Sequence, residues 1–242
     1  MKLYVIPASQ PCATTELMLR RKGTEYKRRD LITAAHKPIL RALGYPGTTV
    51  PAMKVDGRKR QGSREISRWL EESKPEPPLY PSDPEQRRRV EDAERWGDEE
   101  LQQVPRRLSW YALGNDRSTV RGLLEGYRLG VPTTMAVATA APIIWVEKKL
   151  QGSDEVNVRA DLERLPSLLD EVDRLIGEGV IGGDEPNAAD YQIATSVRLL
   201  MLFDQLRPLV ESRPAGEFAM RVAPDMPGHI PAAIPADWIP AG

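Results

Sequence analysis

The chain has 242 residues, 40% of them apolar and 29% charged, with a formal net charge of −1; that is a globular composition and excludes pervasive disorder. A single cysteine excludes an internal disulfide framework and a multi-cysteine zinc site, and two well-separated histidines argue against a His-based metal centre, so no metal is expected. The charge is uneven: residues 1–80 hold 16 basic and 8 acidic side chains, the remainder 18 and 27, so the first part suits a small anion or an acidic partner surface, with ordinary surface charge as the plain alternative.

Residues 2–6 (Lys-Leu-Tyr-Val-Ile) read as a short buried strand, and Pro7 to Gln10 as a turn. Pro11 suits the start of a helix, where a missing N–H costs nothing, and the helix stops by Gly23. Glu25 to Leu31 follows as a strand, and Ala34 to Leu43 as a weak helix ending at Gly44. Ala52–Val55 and Arg58–Gln61 flank Asp56-Gly57, the strongest short-range hairpin signal. Ser63 is placed to cap a helix with Ile66, Trp69 and Leu70 on one face. The order is β-α-β-α-β-β-α.

Lys74-Pro75-Glu76-Pro77-Pro78-Leu79-Tyr80-Pro81 is a stiff linker. Beyond it the apolar period is helical, through Val90, Ala93, Gly97, Leu101, Val104, Leu108 and Tyr111, with a kink expected at Pro105. Thr133 to Leu150 reads as an apolar helix central to a bundle and kinked at Pro142, Val158 to Ile176 as an amphipathic helix, and Asn187 to Leu206 as the last strong one. The proline-rich remainder is expected to wrap a surface. The divisions are therefore 1–74, a linker over 75–84, an all-helical domain over 85–206 and a tail over 207–242. The apolar stretch Val131 to Val146 is shorter than the roughly 20 residues a membrane span needs, and Met1 to Pro7 lacks the apolar core of a signal peptide. No membrane partner and a cytoplasmic location are expected. Nucleic acid is not expected either, because no aromatic-interleaved basic strip accompanies the charge.

Taken alone, Ser9 is either a helix-start serine or a hydrogen-bond donor to a guest, and Ser63 either a cap or an anion site. Ser9-Gln10-Pro11-Cys12 keeps the spacing of a C-x-x-C redox site but has serine in the attacking position, which leaves Cys12 as a redox alternative or a small buried hydrophobe.

Four motifs in order carry a resemblance: Leu3 to Cys12, Val50-Pro51, Gly62-Ser63-Arg64-Glu65-Ile66, and Asn187-Ala188-Ala189-Asp190-Tyr191. Together they resemble the glutathione S-transferase superfamily, in particular its serine-type, delta-like and theta-like classes. The resemblance implies an α/β thioredoxin-like N-terminal domain followed by an all-α helical bundle. It implies glutathione as co-substrate, a small and apolar electrophile, and a homodimer in which the basic first domain meets the acidic second. Ser9 would donate to the glutathione sulfur. Since a free thiol of pKa about 8.5 is mostly protonated at neutral pH, one charge-assisted bond of about 1.5–3 kcal/mol would bring it down by one to two units. A cis Val50-Pro51 bond would offer backbone to the tripeptide. Ser63 and Arg64 at the helix start would take its γ-glutamyl carboxylate, and His36, Lys37 and Arg41 its glycyl end. Gly62 departs from the family's acidic residue, which helps to hold the substrate ammonium; Gln61 or a residue from another chain would be the substitute. Trp110, Tyr111 and Tyr127 are candidates to line the electrophile pocket, with core packing as the competing account. The alternatives are a non-catalytic ligand-binding or interaction protein of the same fold, and a redox protein using Cys12.

Overall fold

The computed structural model describes residues 1–127, 129, 132–231 and 233–240, with Arg117 by its backbone alone. Val131, where the sequence places the start of the apolar stretch, lies outside the described residues.

The first domain is built from β1 (Lys2–Val5), α1 (Gln10–Arg21), β2 (Lys27–Asp30), α2 (His36–Ala42), β3 (Ala52–Val55), β4 (Arg58–Gln61) and α3 (Ser63–Ser73). The sheet order is β2-β1-β3-β4, with β1 and β2 parallel and the other pairs antiparallel. Leu3, Val5 and Met53 point into the core with Met18 and Leu19 of α1 and Ile66 and Leu70 of α3. Strand β2, Lys-Arg-Arg-Asp, is exposed throughout, which suits an edge where charge discourages pairing with another chain. Asp56 (φ +46°) and Gly57 (φ +79°) both take the left-handed backbone that the two-residue turn requires. This is an α/β thioredoxin-like domain.

The second domain is helical: α4 (Pro84–Trp96), a π turn over Gly97–Leu101, α5 (Gln103–Asn115), α6 (Arg117–Leu124), α7 (Thr133–Thr139), α8 (Ala141–Leu150), α9 (Glu155–Gly177), α10 (Ala188–Met201), α11 (Arg207–Glu211), α12 (Pro214–Val222) and a short 3-10 turn, Ala236–Trp238. The break expected at Pro105 falls at the π turn instead, and Pro105 sits in the first turn of α5. There a proline lacks only a donor that a helix start leaves unpaired, and its ring crowds the carbonyl four residues back. The expected single helix over 133–150 is two. Nor is it central, since α7 buries no residue and α8 buries only Ile144 and Glu147. Pro142 opens α8 rather than bending a longer helix, as its fixed φ favours.

The centre of the bundle is α10, every residue of which is buried. Its N-terminus carries the full capping box: Asn187 Oδ1 accepts from the Ala189 and Asp190 backbone amides at 2.9 and 3.2 Å, and the Asn187 backbone amide donates to Asp190 Oδ2 at 2.7 Å. The Asn187 side chain also donates to the Val180 carbonyl at 2.9 Å. Asn187→Ala is expected to lower stability by about 1–2 kcal/mol; urea unfolding that shows no change would remove the capping account. Residues 207–222, expected as tail, form α11 and α12, and Phe218, Ala219 and Val222 of α12 are buried in the core. The chain then runs extended and returns to α10, where the Ile230 amide donates to the Leu202 carbonyl at 2.7 Å.

The domains meet along a polar seam. Gln10 Nε2 donates to Thr195 Oγ1 and Ser196 Oγ at 2.9 and 3.0 Å, Thr14 Oγ1 lies 2.6 Å from Thr195 Oγ1, and Ser63 Oγ donates to Gln192 Oε1 at 3.0 Å. A second tie gathers around Glu94 of α4, whose carboxylate accepts from Ser67 Oγ at 2.8 Å, from Tyr80 at 3.0 Å and from Arg68. Burial outweighs the pull of Arg68 and Ser67 and pushes Glu94 up to about 7. The native state therefore binds this proton more tightly than the unfolded chain does. That contribution is complete below the usual carboxylate range and is lost as pH rises through about 7. Between pH 4.5 and 7.5 the wild type is expected to lose up to about 3 kcal/mol relative to Glu94→Gln. Parallel melting curves for the two proteins across that interval would contradict this.

Candidate active site

The loop from β1 to α1 turns on Ala8, a non-glycine residue in the left-handed region (φ +58°), a strained conformation of the kind found where a loop positions a functional group. Ser9 follows as the N-cap of α1. Its carbonyl starts the helix, accepting from the Ala13 amide at 3.0 Å, but its hydroxyl makes no cap bond. The second helical residue is Pro11, which has no N–H to offer. Three residues on, the Cys12 side chain is buried. Burial pushes the Cys12 thiol up to about 12 despite the Ser9 hydroxyl, so it remains protonated at neutral pH.

Ser9 and Cys12 line a cleft of about 170 Å³ between the domains. Ile6, Glu16, Arg20, Tyr26 and Arg28 form its first-domain wall, and Tyr127, Asp225 and Met226 close it from the second domain. Arg28 holds both Glu16 oxygens at 2.7 and 2.8 Å, and Tyr26 donates to Glu16 at 2.9 Å. Arg20 reaches across to Asp225 at 3.1 Å. Burial pushes the Tyr127 phenol up to about 12, so it stays a donor. The returning tail is held by Arg198 of α10, whose guanidinium donates to the Ala223, Pro224 and Met226 carbonyls at 2.9, 3.5 and 3.3 Å.

A second group of candidate residues gathers at the cis Val50-Pro51 bond. The Pro51 carbonyl accepts from the Gly62 amide at 2.9 Å. Among the described residues, no group pairs with the Val50 amide or carbonyl. Gln61 does not stand free as a substitute acceptor for an ammonium group, because its Oε1 accepts from the Gly47 amide at 2.8 Å and its Nε2 donates to the Thr49 carbonyl at 2.7 Å. Gly62 is the N-cap of α3 with φ +93°, a backbone that favours glycine over the acid of the resemblance. Ser63 is thus the first helical residue rather than the cap expected, and its hydroxyl donates to Gln192 of α10 at 3.0 Å. Arg64 pairs with Glu99 at 2.8 Å, Lys37 pairs with Glu147 of α8, and His36 Nδ1 lies 2.6 Å from the Thr33 carbonyl. Arg41 is exposed.

Of the three aromatic candidates only Tyr127 joins Ser9. Tyr111 lines a separate cleft with Ile144 and Trp145, and Trp110 is half-buried on α5. The cleft beside Ser9 also holds residues that sequence reading missed. Arg28 and Glu16 stand twelve residues apart on different elements, β2 and α1, and Asp225, Met226 and their clamp Arg198 carry no local signal. Among the described residues, no cluster of three His, Cys, Asp or Glu is placed to hold a metal ion.

Comparison with known proteins gives two findings and one absence. Residues 3–78 match the family model described as glutathione S-transferase, N-terminal domain. The whole fold is similar to a glutathione S-transferase from Rhodospirillum rubrum F11 (TM-score 0.61, 21% identity, 91% of this chain and 86% of that one). It is also similar to FzlA from C. crescentus (0.60, 18%, 91% and 86%) and to maleylacetoacetate isomerase from Anaeromyxobacter dehalogenans 2CP-1, solved with GSH in its active site (0.53, 21%, 91% and 88%). No curated protein sequence matches the chain.

Proposed function

We propose, from the premise that residues 3–78 are a glutathione S-transferase N-terminal domain and that the whole chain has the fold of that superfamily, that this protein activates the thiol of glutathione for attack on a small, apolar electrophile. The observation that carries the reading is the Ser9 hydroxyl. It makes no backbone cap and lines the cleft between the domains. A hydroxyl donor at a helix N-terminus lowers the cost of a sulfur anion through the bond itself and through the positive end of the helix.

In this reading the tripeptide lies along the cis-proline edge, its cysteinyl backbone pairing with the Val50 amide and carbonyl as an added strand. The γ-glutamyl carboxylate meets the first amides of α3 at Ser63 and Arg64. The Ser63 hydroxyl already donates to Gln192, so it has no proton for that carboxylate unless this bond breaks. Glu65, in the first turn of α3, would supply the acid for the substrate ammonium that Gly62 lacks, sharing it with the Gln61 amide at 2.9 Å and with Arg60 at 3.5 Å. Lys37 would have to leave Glu147 to reach the glycyl end. Tyr127, Ile6 and Met226 give the electrophile an apolar wall, and the roughly 170 Å³ of space favours a small one. The same thiolate serves addition, substitution and thiol-assisted isomerisation.

The test is to titrate the protein with glutathione while following thiolate absorbance. The bound thiol is expected to titrate one to two units below the free one, about a 10- to 100-fold gain in thiolate at neutral pH; a bound thiol with its free pKa ends the reading. One observation favours a second reading, a non-catalytic ligand-binding protein of this fold: Ser63, Arg64 and Lys37 are all engaged within the protein. Apolar ligand binding without any thiol shift is its signature. A redox role for Cys12 finds no support, because burial keeps its thiol protonated and shielded. The charge asymmetry supports a homodimer joined between unlike domains, expected to weaken as salt rises; a monomer by light scattering at low salt would count against it.

A further inference from the structure

Helix α8 is amphipathic the wrong way round for water. Its acid, Glu147, faces inward and pairs with Lys37 of α2, while Trp145 and Val146 face outward, 61% and 43% exposed. The outward residues fall at helical spacing: Ala141, Trp145 and Lys149 in one row, Pro142, Val146 and Leu150 in the next, all exposed. Leu150 is 62% exposed, and Met135 of α7 adds another apolar side chain at 49%. From Pro132 to Val146 the chain carries no charged residue. Large apolar side chains exposed along one helix in this way mark a contact surface.

The charge on the face decides between occupants. Its ionic group is Lys149, whose ammonium lies 3.9 Å from the centroid of the Trp145 ring. Lys148 beside it sits 4.9 Å from the Tyr111 ring, and among the described residues neither lysine has a carboxylate partner. The acids across the adjoining cleft stand at helix starts, where Asp116 caps α6, Asp154 caps α9, and Glu155 occupies the first turn of α9. A second copy docked on this face about a two-fold axis would oppose Lys149 to Lys149 with no acid between them. An anionic bilayer meets the same face with phosphates for the lysines, an interfacial level for Trp145, and hydrocarbon for Val146, Leu150 and Met135.

We propose that the outward face of α7 and α8 docks the protein on the surface of an anionic phospholipid membrane, lying in the interface without crossing it. Among the described residues no helix is long and apolar enough to cross. The absence of a membrane partner expected from the sequence rested on the short apolar stretch and the missing signal-peptide core, which bear on crossing a membrane and not on lying against one. The proposal is independent of the chemistry at Ser9.

Flotation of the full chain with vesicles tests it, using phosphatidylcholine alone and phosphatidylcholine with one quarter phosphatidylglycerol, at low salt. The protein is expected to float with the anionic vesicles, about fivefold or more in preference to the neutral ones. Trp145→Glu and Val146→Glu are each expected to reduce flotation about tenfold, with melting temperature unchanged because both side chains already face water. Wild-type protein that stays with the dense fraction overturns the proposal, and so does equal flotation of the variants. Equal flotation with both lipid compositions overturns its electrostatic part. If the protein instead dimerises without lipid and Trp145→Glu makes it monomeric, the face is a self-interface and the proposal fails.

Discussion

Replacing Lys22 by methionine is expected to lower the free energy of unfolding by about 3–5 kcal/mol, the largest stability loss of any single substitution considered for this chain. Lys22 ends α1 and is wholly buried. Its ammonium has three donors and uses all three, to Glu71 Oε2 at 2.7 Å and to the Lys74 and Pro75 carbonyls at 2.7 and 3.0 Å. The same Glu71 oxygen accepts from the Leu79 amide at 2.9 Å, and the Leu79 carbonyl accepts from the Ala188 amide at 2.9 Å. One lysine therefore binds the end of α1, the end of α3, the linker and, through it, the start of α10. Methionine keeps the stem's packing but leaves a buried carboxylate and two carbonyls without their donor. Urea unfolding measures the effect, and a loss below about 1 kcal/mol would show the pair to be worth no more than a surface ion pair. In the Lys22→Met/Glu71→Gln double variant part of the loss is expected to return, because the stranded charge is gone.

Ser9→Ala is expected to reduce turnover of glutathione about 10- to 100-fold at neutral pH with little change in stability. The serine hydroxyl caps no backbone amide, so its loss removes one hydrogen bond to sulfur and no structural tie. The deficit should shrink as pH rises toward the free thiol's own pKa, where solution supplies the thiolate unaided. That pH dependence separates loss of thiol activation from loss of binding, which would persist at every pH. Undiminished turnover in Ser9→Ala would remove Ser9 from the chemistry. Cys12→Ser is expected to leave turnover in place.

What could be read along the chain was local. Asp56-Gly57 announces its turn because both residues tolerate positive φ, and Asn187 with Asp190 announces a helix start because the two caps satisfy each other within four residues. Pro11 likewise placed α1, and with it Ser9. The misplaced elements all depend on distant partners. The apolar run over 133–150 is periodic enough for a buried helix, yet nothing nearby states that Lys37, more than a hundred residues earlier, draws Glu147 inward and leaves Trp145 outside. The expected cap at Ser63 passed to Gly62, whose φ of +93° only the folded loop reveals, while the Ser63 hydroxyl went to Gln192. The cleft at Ser9 is finished by Asp225 and Met226, and no pattern near Ser9 points to residues more than two hundred positions away.

The seam of glutamine, serine and threonine between α1 and α10 bears on how a reactant could enter. Apolar surfaces can slide past one another with little penalty, whereas directional bonds at 2.6 to 3.0 Å lock two bodies in a single alignment. Shear between the halves would have to break these bonds. The strap at Asp225 and Met226, which closes the cleft at Ser9, is itself tied down by Arg198 and Arg20, so directional bonds fix that wall as well.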